Sequence, residues 1–288
     1  MSGPGPSTLE EKRDALLRLR LRRRREEALA QGASPAPPGE RPPGSGRQAA
    51  SPLVPLVHAG SKPPLFLVHA AGGSVAPYVT LAALLDDDRP VLALEDPGLR
   101  DGVAGERRLS DLAAVYLAAV REVQPDGPLH LGGWSIGGAV ALDMARQDGD
   151  VALTFVLDTA LPGEPSRPGD DELRRWFAAD VAAMGVEADD AEVARRFPVF
   201  AANVRGLLEF RPSRVKGRVV LLWAGDTSDT RDTRDTRDTE GAEALGRWRA
   251  YADEIRTVPG DHYTMLRPAH AEALADVMRD RLSEVNVR

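Results

Sequence analysis

From Leu53 onward, short apolar runs alternate with helix-length stretches, and this rhythm leaves the chain few architectures. The strand-like runs are P-L-F-L-V-H at 64–69, V-L-A-L at 91–94, L-H-L-G at 129–132, V-A-L-T-F-V-L at 151–157 and V-V-L-L-W at 219–223. Helical patterns fill the intervals, as at 109–123 and 139–146. Near-continuous apolar strands are buried on both faces, and strands joined through helices run parallel. The alternation therefore predicts an α/β fold, a mostly parallel sheet with helices on both sides. One interval breaks the pattern. Between Asp158 and Arg218 no strand signal appears, while Leu173, Phe177, Val181 and Met184 form one helical stripe and Phe197, Phe200, Val204 and Leu208 another. A helical insertion there, at about 159–215, is expected to be a lid over the carboxyl ends of the strands.

The first fifty residues differ in kind. Residues 8–31 read as a basic helix in which Thr8 and Glu11 have capping-box spacing and Glu10 and Glu11 sit in the first turn. Its apolar stripe is too short for a coiled coil, so it is expected to be a solvated helix or a docking segment that orders on a partner. Residues 32–52 are rich in proline and glycine and predict a tether. The folded domain is expected to occupy 53–288. A D-T-R repeat across 226–240 reads as a solvated loop.

Composition removes several chemistries. With no cysteine, disulfides and thiolate nucleophiles are excluded, and the five histidines show no zinc-ligand spacing, so no bound metal is expected. No apolar stretch approaches the roughly 20 residues of a membrane span, and the N-terminus has no signal-peptide core, which predicts a cytoplasmic protein without membrane contact. Residues 1–50 hold ten Lys or Arg against six Asp or Glu, a net of +4, leaving −11 for the rest of a chain whose total is −7. An acidic body argues against nucleic acid as a partner.

Within the alternation, G-W-S-I-G at 133–137 joins an apolar strand to a helix. A sharp strand-to-helix turn strains its central residue and requires neighbours without bulk, so the glycines predict an exposed nucleophile at Ser135 with the Ile136 N–H aimed into the same space. A serine hydroxyl needs a base oriented by an acid. His262, in V-P-G-D-H-Y-T-M-L after an apparent strand at 254–258, is the expected base. His130 lies inside the nucleophile strand, His270 in the last helix and His58 at the domain's entry. Two carboxylates fit the chain order Ser…Asp…His: Asp158 after one strand and Asp226 after the next. For the oxyanion, the small-residue loop H-A-A-G-G-S at 69–74 offers the N–H of Ala71 beside that of Ile136, with His69 expected to brace the loop.

F-L-V-H-A-A-G-G-S-V-A-P-Y, A-L-E-D-P-G-L, L-G-G-W-S-I-G-G, V-L-D-T-A-L-P-G and G-D-H-Y-T-M-L, in this order, resemble the product-releasing thioesterase domains of nonribosomal peptide synthetases and polyketide synthases. The resemblance spans roughly 53–285, and the L-G-G-W-S form resembles terminal releasing domains more than the separate proofreading enzymes. It implies an α/β-hydrolase fold with a mobile lid and an Asp158–His262–Ser135 triad in which Asp158, not Asp226, is the acid. It also aligns Ala71 with an oxyanion amide. It further implies no bound cofactor and a substrate carried on the phosphopantetheine arm of an acyl or peptidyl carrier protein, with residues 8–31 resembling a docking helix. Release is then by hydrolysis or macrocyclisation. The alternative reading of the same residues is a carboxylesterase or lipase acting on free esters.

Overall fold

Residues alternating between two apolar faces explain the sheet. In the computed structural model, Leu65 and Leu67 of β2 (Leu65–Val68) enter one core while Phe66 and Val68 enter the other. The structure describes residues 51–101, 105–163, 166–185, 189–225 and 243–285. The helix expected over 8–31, nearly all of the 32–52 tether, the 226–240 repeat and Asp226 lie outside the described residues.

Seven strands form one sheet in the order β1-β3-β2-β4-β5-β6-β7. They are β1 (Leu53–Val57), β2, β3 (Val91–Leu94), β4 (Leu129–Trp134), β5 (Val151–Leu157), β6 (Arg218–Ala224) and β7 (Glu254–Val258). All neighbours pair in parallel except β1 with β3. The predicted parallel α/β sheet is present. The strand β1 has no counterpart in the sequence reading. Its Pro55 has no N–H for a ladder, and the register shifts between Pro55 and Val57, a break tolerated only at a sheet edge.

One face is covered by α2 (Leu109–Val123) and α3 (Ile136–Asp148), the other by α1 (Tyr78–Leu85) and α6 (Pro268–Val285). The insertion between β5 and β6 is two helices, α4 (Asp170–Met184) and α5 (Asp190–Glu209), each containing one of the apolar stripes read from the sequence. Three acidic residues open α4, where the helix dipole favours them, and Asp189 caps α5 by accepting from the Glu192 N–H at 2.8 Å. The two helices differ in burial. On α4 only Leu173 and Phe177 are buried, whereas α5 buries Phe197, Val199, Phe200, Ala201, Ala202 and Asn203. Among the described residues, no helix is long and apolar enough to cross a membrane.

Candidate active site

Strand β4 ends at Trp134 and α3 begins at Ile136, so Ser135 alone makes the turn. It does so at φ 58° and ψ −132°, a region that residues with a Cβ seldom occupy. Two glycines allow the close approach. A Cβ on Gly133 would strike the Gly137 carbonyl, and one on Gly137 would strike the Val68 carbonyl oxygen of β2. Ser135 is the one residue between 129 and 145 that is not buried. Hydrogen bonds fix the turn from both sides. The Ser135 N–H donates to the Leu157 carbonyl at 2.9 Å, and the Thr159 hydroxyl donates to the Ser135 carbonyl at 2.6 Å. Beneath it, the Tyr78 hydroxyl donates to the Val68 carbonyl at 2.5 Å and accepts from the Trp134 N–H at 2.7 Å, tying β2 to β4.

His262 stands on the loop after β7. A Pro-Gly turn, with Gly260 at φ 93°, reverses the chain, and Asp261 Oδ1 then accepts from the N–H groups of Tyr263 and Thr264, both at 2.8 Å. This pinned loop brings His262 Nδ1 to 2.7 Å from Asp158 Oδ2. Asp158 follows β5 at φ 43°, and its Oδ1 accepts the Ala224 N–H at 2.9 Å, so β6 aims the carboxylate. With Nδ1–H donated to Asp158, Nε2 carries the imidazole lone pair. The His262 ring packs against those of Trp134 and Tyr263, with centroids 5.1 and 5.0 Å away. Asp158, one of the two carboxylates left open by chain order, lies beside His262, and Asp226 is outside the described residues.

Ser135 and His262 share a cavity of about 220 Å³. Ala71 and Gly72 line it with them, as do Phe177, Asp180, Val181 and Met184 of α4. Ile136, whose amide opens α3, is buried beside Ser135. The remaining histidines are elsewhere. His130 is buried in β4, His58 is exposed, His270 lies in α6 against Gly260, and none lines the cavity. His69 braces its loop as expected. Its Nδ1 is 2.6 Å from the Ala70 carbonyl, its Nε2 is 2.6 Å from the Tyr116 hydroxyl, and burial pushes its pKa below the ordinary value.

Two polar residues near the site escape a reading by pattern. Asp180 occupies the apolar stripe of α4, three residues after Phe177, and burial raises its carboxyl pKa against the opposing pull of His262 and a hydrogen bond with Tyr263. Asn203, fully buried on α5, donates from Nδ2 to the Ala71 carbonyl at 3.0 Å. The usable signal in both cases is a polar residue at a stripe position on a helix otherwise apolar on that face.

Comparison with known proteins agrees with this fold. The family model described as a thioesterase domain matches residues 63–282. A dimodular nonribosomal peptide synthase of Bacillus subtilis is 40% identical over 119 residues, 40% of this chain. Chondramide synthase of Chondromyces crocatus is 30% identical over an alignment covering 84% of it. The chain spans only 5% and 7% of those two proteins. The solved NocB thioesterase domain, in covalent complex with a fluorophosphonate nocardicin G analogue, superposes with a TM-score of 0.61 at 30% identity, covering 77% of this chain and 96% of that one. The surfactin-cyclising thioesterase domain, at 18% identity and a TM-score of 0.57 over 77% of this chain and 91% of its own, shares the fold. A strand–Ser135–helix turn on a parallel sheet, matched over most of the folded region by that family model, places the chain in the thioesterase domain family of α/β-hydrolases.

Proposed function

We propose that this protein is a chain-releasing thioesterase that transfers an acyl or peptidyl chain from the phosphopantetheine arm of a carrier protein onto Ser135 and then discharges it. The observation that carries this reading is the 2.7 Å Asp158–His262 pair, whose His262 lines a cavity together with Ser135 and Ala71. Membership of the family and the synthase relatives support the carrier-bound substrate. In the first step His262 Nε2 takes the Ser135 proton as Oγ attacks the thioester carbonyl. The amides of Ala71 and Ile136 hold the oxyanion, and the intermediate collapses with release of the pantetheine thiol, which leaves with the proton from His262. The resulting ester on Ser135 is attacked by water, giving an acid, or by an internal nucleophile of the chain, giving a macrocycle. Asp158 keeps Nδ1 protonated throughout. Phe177, Val181 and Met184 shelter the acyl chain from bulk water. No cofactor takes part, and residues 8–31 dock the carrier or an upstream module.

The test offers acyl-pantetheine thioesters and p-nitrophenyl esters side by side and follows the protein by intact mass. The wild type is expected to prefer thioesters and to gain one acyl mass that Ser135→Ala does not gain. An unchanged adduct in Ser135→Ala would falsify the reading. Turnover of the nitrophenyl ester with none of the thioester would point instead to a carboxylesterase.

A further inference from the structure

Behind the 69–73 loop lies a buried polar cluster that the reaction above does not use. Asp96, just past β3, and Asn203, on α5, are both fully buried. Asp96 Oδ1 accepts from the Gly98 N–H at 2.9 Å and from Arg107 Nη1 at 3.1 Å, and its Oδ2 accepts from Asn203 Nδ2 at 3.0 Å. Arg107 Nη2 bonds both Asp96 Oδ2 and, at 2.7 Å, Asn203 Oδ1. The loop is held at three points. The Asp96 N–H donates to the Gly73 carbonyl at 2.9 Å, Asn203 Nδ2 donates to the Ala71 carbonyl at 3.0 Å, and His69, gripped by Tyr116, lies 3.6 Å from Asp96. Burial opposes the Asp96 charge, and His69, Arg107 and Asn203 outweigh it, keeping the carboxyl below the usual carboxylate range.

A backbone amide is useful in an oxyanion hole only if its peptide plane is fixed, because a shift of about 1 Å removes much of the stabilisation. Asn203 holds the carbonyl of Ala71, whose peptide plane is the one shared with the Gly72 N–H. The plane of the Ala71 N–H, the amide proposed for the oxyanion, ends in the Ala70 carbonyl, which accepts from the Gly73 N–H at 2.9 Å, so Asn203 fixes that amide from the next peptide along the loop. We infer that Asn203, Asp96 and Arg107 are positioning residues that set the oxyanion loop from α5, making α5 a fixed wall of the site and α4 the part of the insertion that moves. The inference rests on the proposed acyl-Ser135 chemistry. It divides the expected lid into two unequal halves. The helix α5 is tied down by Asn203 and by its buried apolar side chains. The helix α4 buries two residues and presents Phe177, Val181 and Met184 to the cavity.

The experiment measures kcat and KM on an acyl-pantetheine thioester and records the ³¹P spectrum of the Ser135 adduct formed with a fluorophosphonate, whose phosphoryl oxygen occupies the oxyanion site. Asn203→Ala is expected to lower kcat about 10- to 100-fold with KM nearly unchanged and to shift the adduct resonance. Arg107→Lys keeps a positive charge beside Asp96 but loses the forked contact, and should show a smaller loss in the same direction even if Asn203→Ala does not fold. Arg205→Ala, a change on α5 that breaks only a surface pair with Asp170 at the start of α4, should leave kcat and the resonance unchanged. Hydrogen exchange should find the α5 amides as slow as those of α3 and the α4 amides faster. A wild type that forms no Ser135 adduct overturns the functional reading and this inference with it. An adduct that forms normally, with kcat and resonance unmoved in folded Asn203→Ala or Arg107→Lys, overturns the positioning role alone. Exchange of α4 and α5 at one common rate overturns the fixed wall.

Discussion

Asp158 has its two carboxylate oxygens committed to different partners, the Ala224 N–H through Oδ1 and His262 Nδ1 through Oδ2. That division makes Asp158→Asn informative. The asparagine oxygen takes the Ala224 N–H, which turns its NH₂ toward His262. An NH₂ facing Nδ1 forces the imidazole proton onto Nε2, and the nitrogen meant to accept the serine proton is then blocked. We expect kcat on an acyl-pantetheine thioester to fall about 10³- to 10⁴-fold with the unfolding midpoint nearly unchanged. Asp226→Asn should stay within about twofold of wild type if Asp158 is the acid. The opposite ranking in steady-state assays would transfer the acid role to Asp226. The sequence pointed openly to the proposed nucleophile and base, through G-W-S-I-G and G-D-H-Y-T. It could not choose the acid by spacing, because two strands in a row end in a suitable aspartate. Only packing decides which of them meets the imidazole.

At the scale of elements, the legible parts are those whose residues repeat a single environment. The strands β2, β4 and β5 are apolar on both faces and were readable as runs, and the α4 and α5 stripes were readable from their period. What escaped was set by partners distant in sequence. The strand β1 exists because β3 offers it an edge, and Asn203 matters because the fold brings it to Ala71, contacts that no periodicity encodes. His130 is a further case of burial overriding residue type. It lies inside β4 with its Nδ1 3.0 Å from Arg89 Nη1, and burial, followed by the Arg89 charge, lowers its pKa to about 4. Its folded value is below the 6.5 of an ordinary imidazole, so the unfolded chain binds a proton that the folded one refuses. The stabilising term is complete above pH 6.5 and is lost as pH falls toward 4, by about 3 kcal/mol. Urea unfolding at steps between pH 7 and 4 should show this decline, and His130→Gln should show a shallower one. Parallel curves for the two proteins would remove His130 from the account of acid sensitivity.

For the whole molecule, charge is divided between a basic leading segment and an acidic body, +4 over residues 1–50 and −11 beyond them. Arg22 to Arg25 form the densest run of positive charge in that segment. On the proposed mechanism, catalysis on a free acyl-pantetheine needs only the site built from β4, β5, the β7 loop and the 69–73 loop, all of which lie beyond residue 52. A carrier-borne chain must also bring a protein into register with that site, and a basic segment raises the encounter rate with an acidic partner in a salt-dependent way. Removing residues 1–50 should therefore separate the two substrates. The truncated protein is expected to keep its unfolding midpoint and its kcat on the free thioester within about twofold. On the same acyl group borne by a carrier protein, kcat/KM should fall about tenfold at low salt, and the difference should vanish near 0.5 M salt as exposed charges are screened. Identical kcat/KM for both proteins on the carrier-borne substrate at low salt would make residues 1–50 a tether with no part in docking. Equal losses on both substrates would place the segment in catalysis itself.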